Sequence, residues 1–301
     1  MKREVNIAPS KRRGKPGMPT RQAPRWLIPV GLAVLFGGIA AAFLLGSRLT
    51  GDPVAWTRFG TQDVHSLAFV DDDPMRVLFG HHGGLYASDD GGATWSSLPV
   101  RDDAMSTSPA TDGSVVIAGH NVFAASRDGG ATWSPIDADL PNLDIHGFTR
   151  DPADPARMWA YLATGGLWES RDFGVRWERV REDNVLFPLA VTVGAGTRLL
   201  GVDTSGLVAS DDGGRSWTSL SMPETYPMTS LAATPDGAVV YAGSPGGLYR
   251  SSDGGRTWSA TAYRGSAFAI ATTAAGQTVA VVSGETEFFR SSDGGATWSG
   301  P

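Results

Sequence analysis

The sequence predicts an all-β fold built from six equivalent units. One phrase ending in tryptophan recurs six times, at 88–95, 126–133, 170–177, 210–217, 251–258 and 291–298. The closing tryptophans are 38, 44, 40, 41 and 40 residues apart. A tryptophan signature about every 40 residues, with room for four short strands in each interval, is typical of a six-bladed β-propeller.

The fifth unit shows how a repeat divides into strands. Residues 229–233, 239–242 and 247–251 are short apolar or β-branched runs. Turn residues at 235–237 and 244–246 separate these runs, and a fourth strand is expected after the tryptophan. No interval between phrases leaves room for a long helix.

The phrase follows the pattern Ser-x-Asp-x-Gly-x-Thr-Trp. Its polar side chains can hydrogen-bond a turn between the third and fourth strands, its glycine permits a positive φ, and its tryptophan can pack between blades. A catalytic or calcium-binding role would require six identical sites, so we assign these residues to structure. They are Asp90, Asp128, Asp172, Asp212, Asp253 and Asp293, with Trp95, Trp133, Trp177, Trp217, Trp258 and Trp298.

The third phrase departs from this pattern. Phe173 replaces the first glycine of the usual pair, and Arg176 replaces the threonine. We therefore expect its turn to be the least regular of the six.

The phrase resembles the BNR or Asp-box repeat of sialidases, sortilin-type receptors, some glucanases and photosystem II assembly-factor propellers. The resemblance covers the chain from about Trp56 to its end. It implies the propeller fold but no particular function, because in these proteins the box lies on the face away from the known active sites. The phrase is called the Asp box from here on.

The N-terminal part is predicted to anchor the chain in a membrane. From Trp26 to Gly46 there are 21 consecutive uncharged, mostly apolar positions, enough for a helix to cross a hydrocarbon core of about 30 Å. The predicted order is a basic disordered tail at 1–25, a transmembrane signal-anchor helix in contact with membrane lipid at 26–47, a linker at 48–53 and the propeller at 54–301.

The charge around this segment predicts its orientation. Residues 1–25 carry eight cations and one acid, which favours a cytoplasmic N-terminus and an extracytoplasmic propeller in a single-pass protein of the cell membrane. A cleaved signal peptide is the alternative. The apolar stretch is longer than a usual signal-peptide core, however, and no clean small-x-small site follows before Arg48.

Charge and cysteine content exclude several classes of function. Residues 1–48 hold nine of the 25 Lys and Arg and one of the 31 Asp and Glu, which leaves 16 cations and 30 acids in the rest. So acidic a region argues against a nucleic-acid partner. The chain has no cysteine, which excludes disulfides, thiolate metal sites, a cysteine nucleophile and a lipoprotein anchor.

Ring closure is expected to involve both ends of the propeller. The last Asp box ends three residues before the end of the sequence, which leaves the sixth unit short of an outer strand. We expect residues 54–59 to pair in the same sheet as residues 287–291, since a shared blade removes a sheet edge.

The resemblance to sialidases does not extend to their functional residues. The Arg-Ile-Pro tripeptide that precedes the first box in that family is absent, and most arginines lie in or beside boxes or at the starts of second strands. Another glycosidase is the alternative function, and it needs two carboxylates about 5–10 Å apart. The plausible open-face acids are Asp63, Asp103, Asp144, Asp203 and Glu285.

All five histidines lie in the first three units, namely His65, His81, His82, His120 and His146. Aligning the units places His65, Met105 and His146 at the starts of the innermost strands. His82 and His120 occupy the loop between second and third strands. In an antiparallel blade these positions lie at one end and the Asp box at the other, so the histidines should gather on the face opposite the boxes, called the open face below.

Such a cluster has the chemistry of a transition-metal site. The candidate ligands of zinc or copper are His65, His82, His120 and His146. We expect at least three of these imidazoles to share the ion, with Asp63 or Asp144 orienting a ring or completing the shell. Met105 would add a soft ligand that favours copper. The alternative is that the histidines only cap strands or bind loop carbonyls.

These observations favour a membrane-anchored extracytoplasmic propeller that acts as a binding or assembly module. Its partner would be a protein or a carbohydrate bound to the open face. The alternative, a glycosidase-type hydrolase, predicts acids that converge in a deep central pocket, whereas an assembly module predicts a broad, shallow patch.

Overall fold

A computed structural model describes residues 59, 61, 63–182, 185–192 and 196–300. Every regular element in these ranges is a β-strand, and the strands form six antiparallel sheets arranged as the blades of a propeller. No helix in the described part is long and apolar enough to cross a membrane. The segments predicted at 1–25, 26–47 and 48–53 lie outside these ranges.

Each blade follows the chain from its inner to its outer strand. Blades 1 and 2 comprise β1 (Ser66–Val70), β2 (Asp73–His81), β3 (Gly84–Ser88), β4 (Ser96–Ser97), β5 (Asp103–Pro109), β6 (Val115–His120), β7 (Val122–Ser126) and β8 (Ser134–Pro135). Blades 3 and 4 comprise β9 (Ile145–Arg150), β10 (Met158–Leu162), β11 (Gly166–Ser170), β12 (Trp177–Arg181), β13 (Leu189–Thr192), β14 (Arg198–Asp203), β15 (Gly206–Ser210) and β16 (Thr218–Ser219). Blades 5 and 6 comprise β17 (Ser230–Ala233), β18 (Val240–Ser244), β19 (Gly247–Ser251), β20 (Ser259–Ala260), β21 (Ala269–Thr272), β22 (Val279–Val282) and β23 (Phe288–Ser291).

The inner strands close the ring. The first strand of each blade contacts the first strands of its two neighbours, and β21 of blade 6 contacts β1 of blade 1. Blade 6 carries an isolated bridge between Arg290 and Ser299 where the other blades have a fourth strand. Ser299 therefore lies at the outer position of blade 6, beside β23.

The N-terminal end of the described region also links blade 6 to blade 1. The Phe59 backbone N–H donates to the Thr286 carbonyl at 3.2 Å, and the Phe59 ring lies 4.5 Å from Phe79 and 4.8 Å from Trp95, centroid to centroid. Residues 54–58 lie outside the described ranges, so the pairing expected for 54–59 stays a prediction.

Each Asp box closes its turn with side-chain hydrogen bonds. In the first box, Ser88 Oγ donates to Asp90 Oδ1 and accepts from the Gly92 N–H, both at 2.8 Å. Thr94 donates to the same carboxylate through its backbone N–H at 2.8 Å and its hydroxyl at 2.5 Å. The Trp95 indole N–H donates to the Gly92 carbonyl at 2.9 Å. Hydrogen bonds, chiefly from the Thr94 side chain, lower the pKa of Asp90 to about 2.

The third box is more regular than its sequence suggests. Phe173 adopts a positive φ of 63° in place of glycine, and Asp172 accepts from the Ser170 hydroxyl at 3.0 Å and the Arg176 N–H at 2.8 Å. Only the threonine hydroxyl bond is missing. Arg127 and Arg150 lie over the Phe173 ring, at 5.1 and 5.2 Å from its centroid, and this contact between blades 2 and 3 helps to hold the unusual residue in place.

Close approach between blades depends on small side chains near the open face. Ser66 at the start of β1 donates to the Ala104 carbonyl of blade 2 at 3.0 Å, and Ser230 of blade 5 donates to the Ala267 carbonyl of blade 6 at 2.9 Å. A Cβ at Gly80 would lie 2.5 Å from the Ala104 oxygen. The buried apolar clusters likewise join residues of adjacent blades.

Candidate binding site on the open face

The inner loops of blades 1 to 3 place four of the five histidines side by side. His65 immediately precedes β1, His82 lies in the turn between β2 and β3, His120 ends β6, and His146 lies near the start of β9. Because the Asp boxes join third strands to fourth strands, these positions lie at the opposite end of each blade. The structure thus brings the four predicted ligands to one sector of the open face.

Three aspartates lie among these histidines. Together they form what we call the histidine–aspartate row: Asp63, His65, His82, Asp103, His120, Asp144 and His146. Successive imidazole centroids are 4.5 Å apart from His65 to His82, 6.3 Å from His82 to His120 and 4.8 Å from His120 to His146. The row therefore runs across three blades without a break.

The blade 1 end of the row is tightly connected. His65 Nε2 lies 2.8 Å from His82 Nδ1 and 3.1 Å from Asp103 Oδ1. His82 Nδ1 contacts the Asp63 carboxylate, and His82 Nε2 lies 3.4 Å from Asp103 Oδ2. The His82 backbone N–H also donates to Asp63 Oδ1 at 3.0 Å. Both ring nitrogens of His82 are thus engaged by carboxylates of two different blades.

The blade 3 end has a different geometry. Asp103 Oδ2 lies 2.5 Å from His120 Nδ1. On the other side of that ring, His120 Nε2 lies 3.0 Å from His146 Nε2 and 3.3 Å from Asp144 Oδ1. Asp144 Oδ1 lies 3.1 Å from His146 Nε2. Three potential ligand atoms from blades 2 and 3 thus converge on one point.

Two bridges in the backbone bring about this convergence. Asp103 and His120 are cross-strand partners in blade 2, next to a bulge in β5. His120 also forms an isolated antiparallel bridge with Asp144 of blade 3. The side chains of Asp103, His120 and Asp144 are therefore held in register by the main chain.

The surroundings lower the pKa values of Asp103, at the centre of the row, and His146, at one end. Burial alone would raise the pKa of Asp103, but the hydrogen bond from His65 and the neighbouring imidazoles outweigh it and lower the pKa below its usual value. Burial lowers the pKa of His146, against the opposing effect of Asp144. An ionised Asp103 and a neutral His146 are the expected states at neutral pH.

The ligand geometry differs from the sequence-based expectation. Within the described residues, the groups whose ligand atoms lie close enough for one ion each contain two imidazoles and one carboxylate, rather than three imidazoles. Met105, the expected soft ligand, is buried and lines the central cavity. The fifth histidine, His81, stacks on Tyr86 with ring centroids 5.1 Å apart.

Asp103 has a more central place in the structure than the sequence alone predicts. The sequence offers Asp103 as one of several plausible acids, whereas it predicts that Asp63 or Asp144 orients a ring or completes the metal shell. In the structure Asp103 contacts three of the four imidazoles. A signal is present in the sequence, because Asp63, Asp103 and Asp144 stand two residues before His65, Met105 and His146, at spacings of 40 and 41 residues.

A narrow cavity of about 90 Å³ lies at the axis of the propeller. Its walls are mainly apolar and hydroxyl side chains, with His65 among them and no carboxylate among the lining residues. Asp203 instead accepts from Ser205 in a turn at 2.6 Å, and Glu285 lies 3.5 Å from the Ser266 hydroxyl. The converging acids that a glycosidase would need do not line this cavity.

The chain is similar to a photosystem assembly factor in its second half by sequence and over most of its length by structure. Residues 159–300 match the family model of the photosynthesis system II assembly factor YCF48. YCF48 from Cyanidioschyzon merolae is similar in structure, with 17% identity, a TM-score of 0.50, and 82% of this chain and 88% of that chain covered. A structure of YCF48 bound to D1 peptide has 20% identity and a TM-score of 0.51, covering 80% of this chain and 98% of that one.

A glycoside hydrolase is similar as well. The GH74 xyloglucanase from Xanthomonas campestris has 19% identity and a TM-score of 0.56, over 82% of this chain but 46% of the enzyme. No curated protein sequence matches the chain. At these identities the structural matches establish the fold alone. The chain is a six-bladed β-propeller with BNR or Asp-box repeats, similar to YCF48 and matching its family model over residues 159–300.

Proposed function

We propose that this chain is a membrane-anchored, extracytoplasmic binding or assembly module that holds a segment of another protein against its open face. The observation that carries the proposal is the histidine–aspartate row across blades 1 to 3, beside an axial cavity of about 90 Å³. Pockets for small molecules are typically about 300–1,000 Å³. A surface row rather than the axis is therefore the proposed contact site.

The row offers hydrogen-bonding groups to an extended segment. The side chains of His82, Asp144 and His120 are 58%, 42% and 35% exposed, whereas that of Asp103 is 8% exposed. Exposed imidazoles and carboxylates can pair with peptide N–H and C=O groups, and an extended peptide advances about 3.3 Å per residue. A few residues of a partner would span the row.

Charge favours a particular kind of segment. The sequence after residue 48 carries 30 acids against 16 cations, and complementary charge steers and orients partners. We expect the bound segment to be neutral or basic. The structure of YCF48 with D1 peptide supports a peptide as the partner, because it shows a propeller of similar fold with a bound peptide.

Carbohydrate hydrolysis has weaker support. His82 separates Asp63 from Asp103, and His120 separates Asp103 from Asp144. These neighbouring acids therefore face imidazoles, whereas a glycosidase pair flanks the bond to be cleaved. The binding of a carbohydrate remains an outcome of the test below.

A random-peptide selection tests the proposed binding. The full chain in detergent is used to select from a phage-displayed library of random linear peptides, with soluble oligosaccharides tested in parallel. We expect enriched peptides to lose at least about tenfold in affinity for a His82→Ala and His120→Ala double variant, as expected for at least 1.4 kcal/mol of lost interaction. Asp89→Ala on the box face should bind like the wild type. Peptides that bind both variants equally, or oligosaccharides alone, would contradict the proposal.

Membrane topology can be tested because the chain has no natural cysteine. Asp89, whose side chain is 90% exposed, is replaced by cysteine in one variant and Ser10 in another. If the N-terminus is cytoplasmic, a membrane-impermeant maleimide should label Asp89→Cys without lysis of the plasma membrane and Ser10→Cys only after lysis. The reverse pattern, or release of the propeller from the membrane fraction, would overturn the proposed anchor or its orientation.

A further inference from the structure

We propose that His120 Nε2, His146 Nε2 and Asp144 Oδ1 bind a zinc ion at the blade 3 end of the row. This inference goes beyond the proposed function, because a peptide can bind the row without a metal. The three atoms form a nearly equilateral triangle with edges of 3.0, 3.1 and 3.3 Å. Tetrahedral zinc with bonds of about 2.0–2.1 Å requires ligand atoms about 3.3 Å apart.

The other two groups in the row fit one ion less well. Around Asp63, His65 and His82, the separations are uneven, from 3.9 Å between His65 Nε2 and Asp63 Oδ2 to 2.8 Å between His65 Nε2 and His82 Nδ1. Between Asp103 and His120 the contact is 2.5 Å. That separation fits a hydrogen bond rather than two ligands of one metal.

The short contact instead makes Asp103 a positioning residue for the zinc site. When Asp103 accepts a hydrogen bond from the Nδ1–H of His120, the Nε2 atom of that ring is unprotonated. Its lone pair can then face the proposed ion between Asp144 and His146. Histidine ligands of metals commonly donate their second N–H to such a carboxylate, which fixes the tautomer and the ring orientation. Asp103 is buried, so water competes little for this contact.

The donor set and its exposure point to zinc with an open position. Two imidazoles and one carboxylate are a known three-residue set for zinc that leaves a fourth position for water or substrate. Asp144 and His120 are 42% and 35% exposed while His146 is 14% exposed, so the open side faces solvent. The set of two nitrogens and one oxygen contains no soft sulfur donor of the kind that would favour copper.

Metal binding by the full chain tests this inference. The protein is purified in detergent with a histidine-free tag, stripped with a chelator, and titrated with zinc chloride against a chromophoric competitor, with bound metal counted by mass spectrometry. We expect uptake of one zinc per chain and a tetrahedral absorption spectrum with Co²⁺. His146→Gln should lower zinc affinity about 100-fold, and Asp103→Asn by about 10- to 100-fold. Melting temperatures of the metal-free variants show whether each remains folded.

His81→Gln is the matched control, because His81 lies on the same sector but stacks on Tyr86 instead of joining the row. Its zinc affinity should equal that of the wild type. Equal losses in His81→Gln and His146→Gln, or tight zinc binding by a folded His146→Gln variant, would overturn the inference. Loss of zinc in His65→Gln but not in His146→Gln would also overturn it, by placing the metal at the other end of the row.

Discussion

Replacing Trp159 with alanine is expected to lower the free energy of unfolding by about 3–5 kcal/mol. Trp159 is fully buried between blades 3 and 4, in a cluster with Leu167 and Leu199. Its indole N–H donates to the Gly213 carbonyl of the fourth Asp box at 3.3 Å, and Arg157 lies 4.5 Å from the centre of its ring. The truncation opens a cavity. It also removes the hydrogen-bond donor of the Gly213 carbonyl and the ring beneath the Arg157 guanidinium.

Trp168→Ala is the control for this prediction. Trp168 is only partly buried, and its N–H donates to the Gly165 carbonyl of its own turn at 3.0 Å. We expect less than half the loss seen with Trp159→Ala when both are measured by chemical denaturation of the full chain. Similar losses in the two variants would show that blade-to-blade packing does not dominate stability.

Gly119→Ala is expected to disturb the fold and the row together. A Cβ on Gly119 would lie 1.8 Å from the Asp103 carbonyl oxygen and 2.9 Å from the Met105 nitrogen, both of them backbone atoms. The strand that carries Asp103 must move, so we expect about 1–3 kcal/mol of lost stability from overpacking. Zinc affinity should fall about tenfold or more, because the positioning of His120 by Asp103 is lost.

Gly196→Ala provides the comparison, because a Cβ there would meet no atom of the described residues within 4 Å, its two chain neighbours apart. Its stability should change by less than about 0.5 kcal/mol, as for most surface substitutions. Denaturation and zinc titration of both variants check the prediction. A Gly119→Ala variant as stable as Gly196→Ala would mean that the close approach of β5 and β6 is not enforced.

The repeat made the fold predictable from the sequence. Strands expected at 229–233, 239–242 and 247–251 appear as β17, β18 and β19 within two residues at each end. The same register and the antiparallel order of strands predicted which face carries the histidines. Both inferences depend on chain order alone, and chain order fixes which ends of neighbouring strands meet.

The ligand geometry depended on features that the repeat does not encode. The bulge in β5 and the bridge from His120 to Asp144 set which side chains meet, and neither follows from counting residues between boxes. The third Asp box shows the same limit, because Phe173 accepts a positive φ with support from arginines of a neighbouring strand and blade. Contacts from residues distant in sequence stabilise this conformation, so the sequence of the box alone does not predict it.

The central claim is that the open face of blades 1 to 3 binds a protein segment, and mapping the position of a bound peptide tests it most directly. A peptide selected on the full chain is synthesised with a photoreactive residue and cross-linked, and the modified site is located by mass spectrometry. We expect cross-links within 63–65, 81–83, 103–105, 120–121 and 144–146, and their loss on adding unlabelled peptide. Competable cross-links confined to the Asp-box turns or to blades 4 to 6 would contradict the claim.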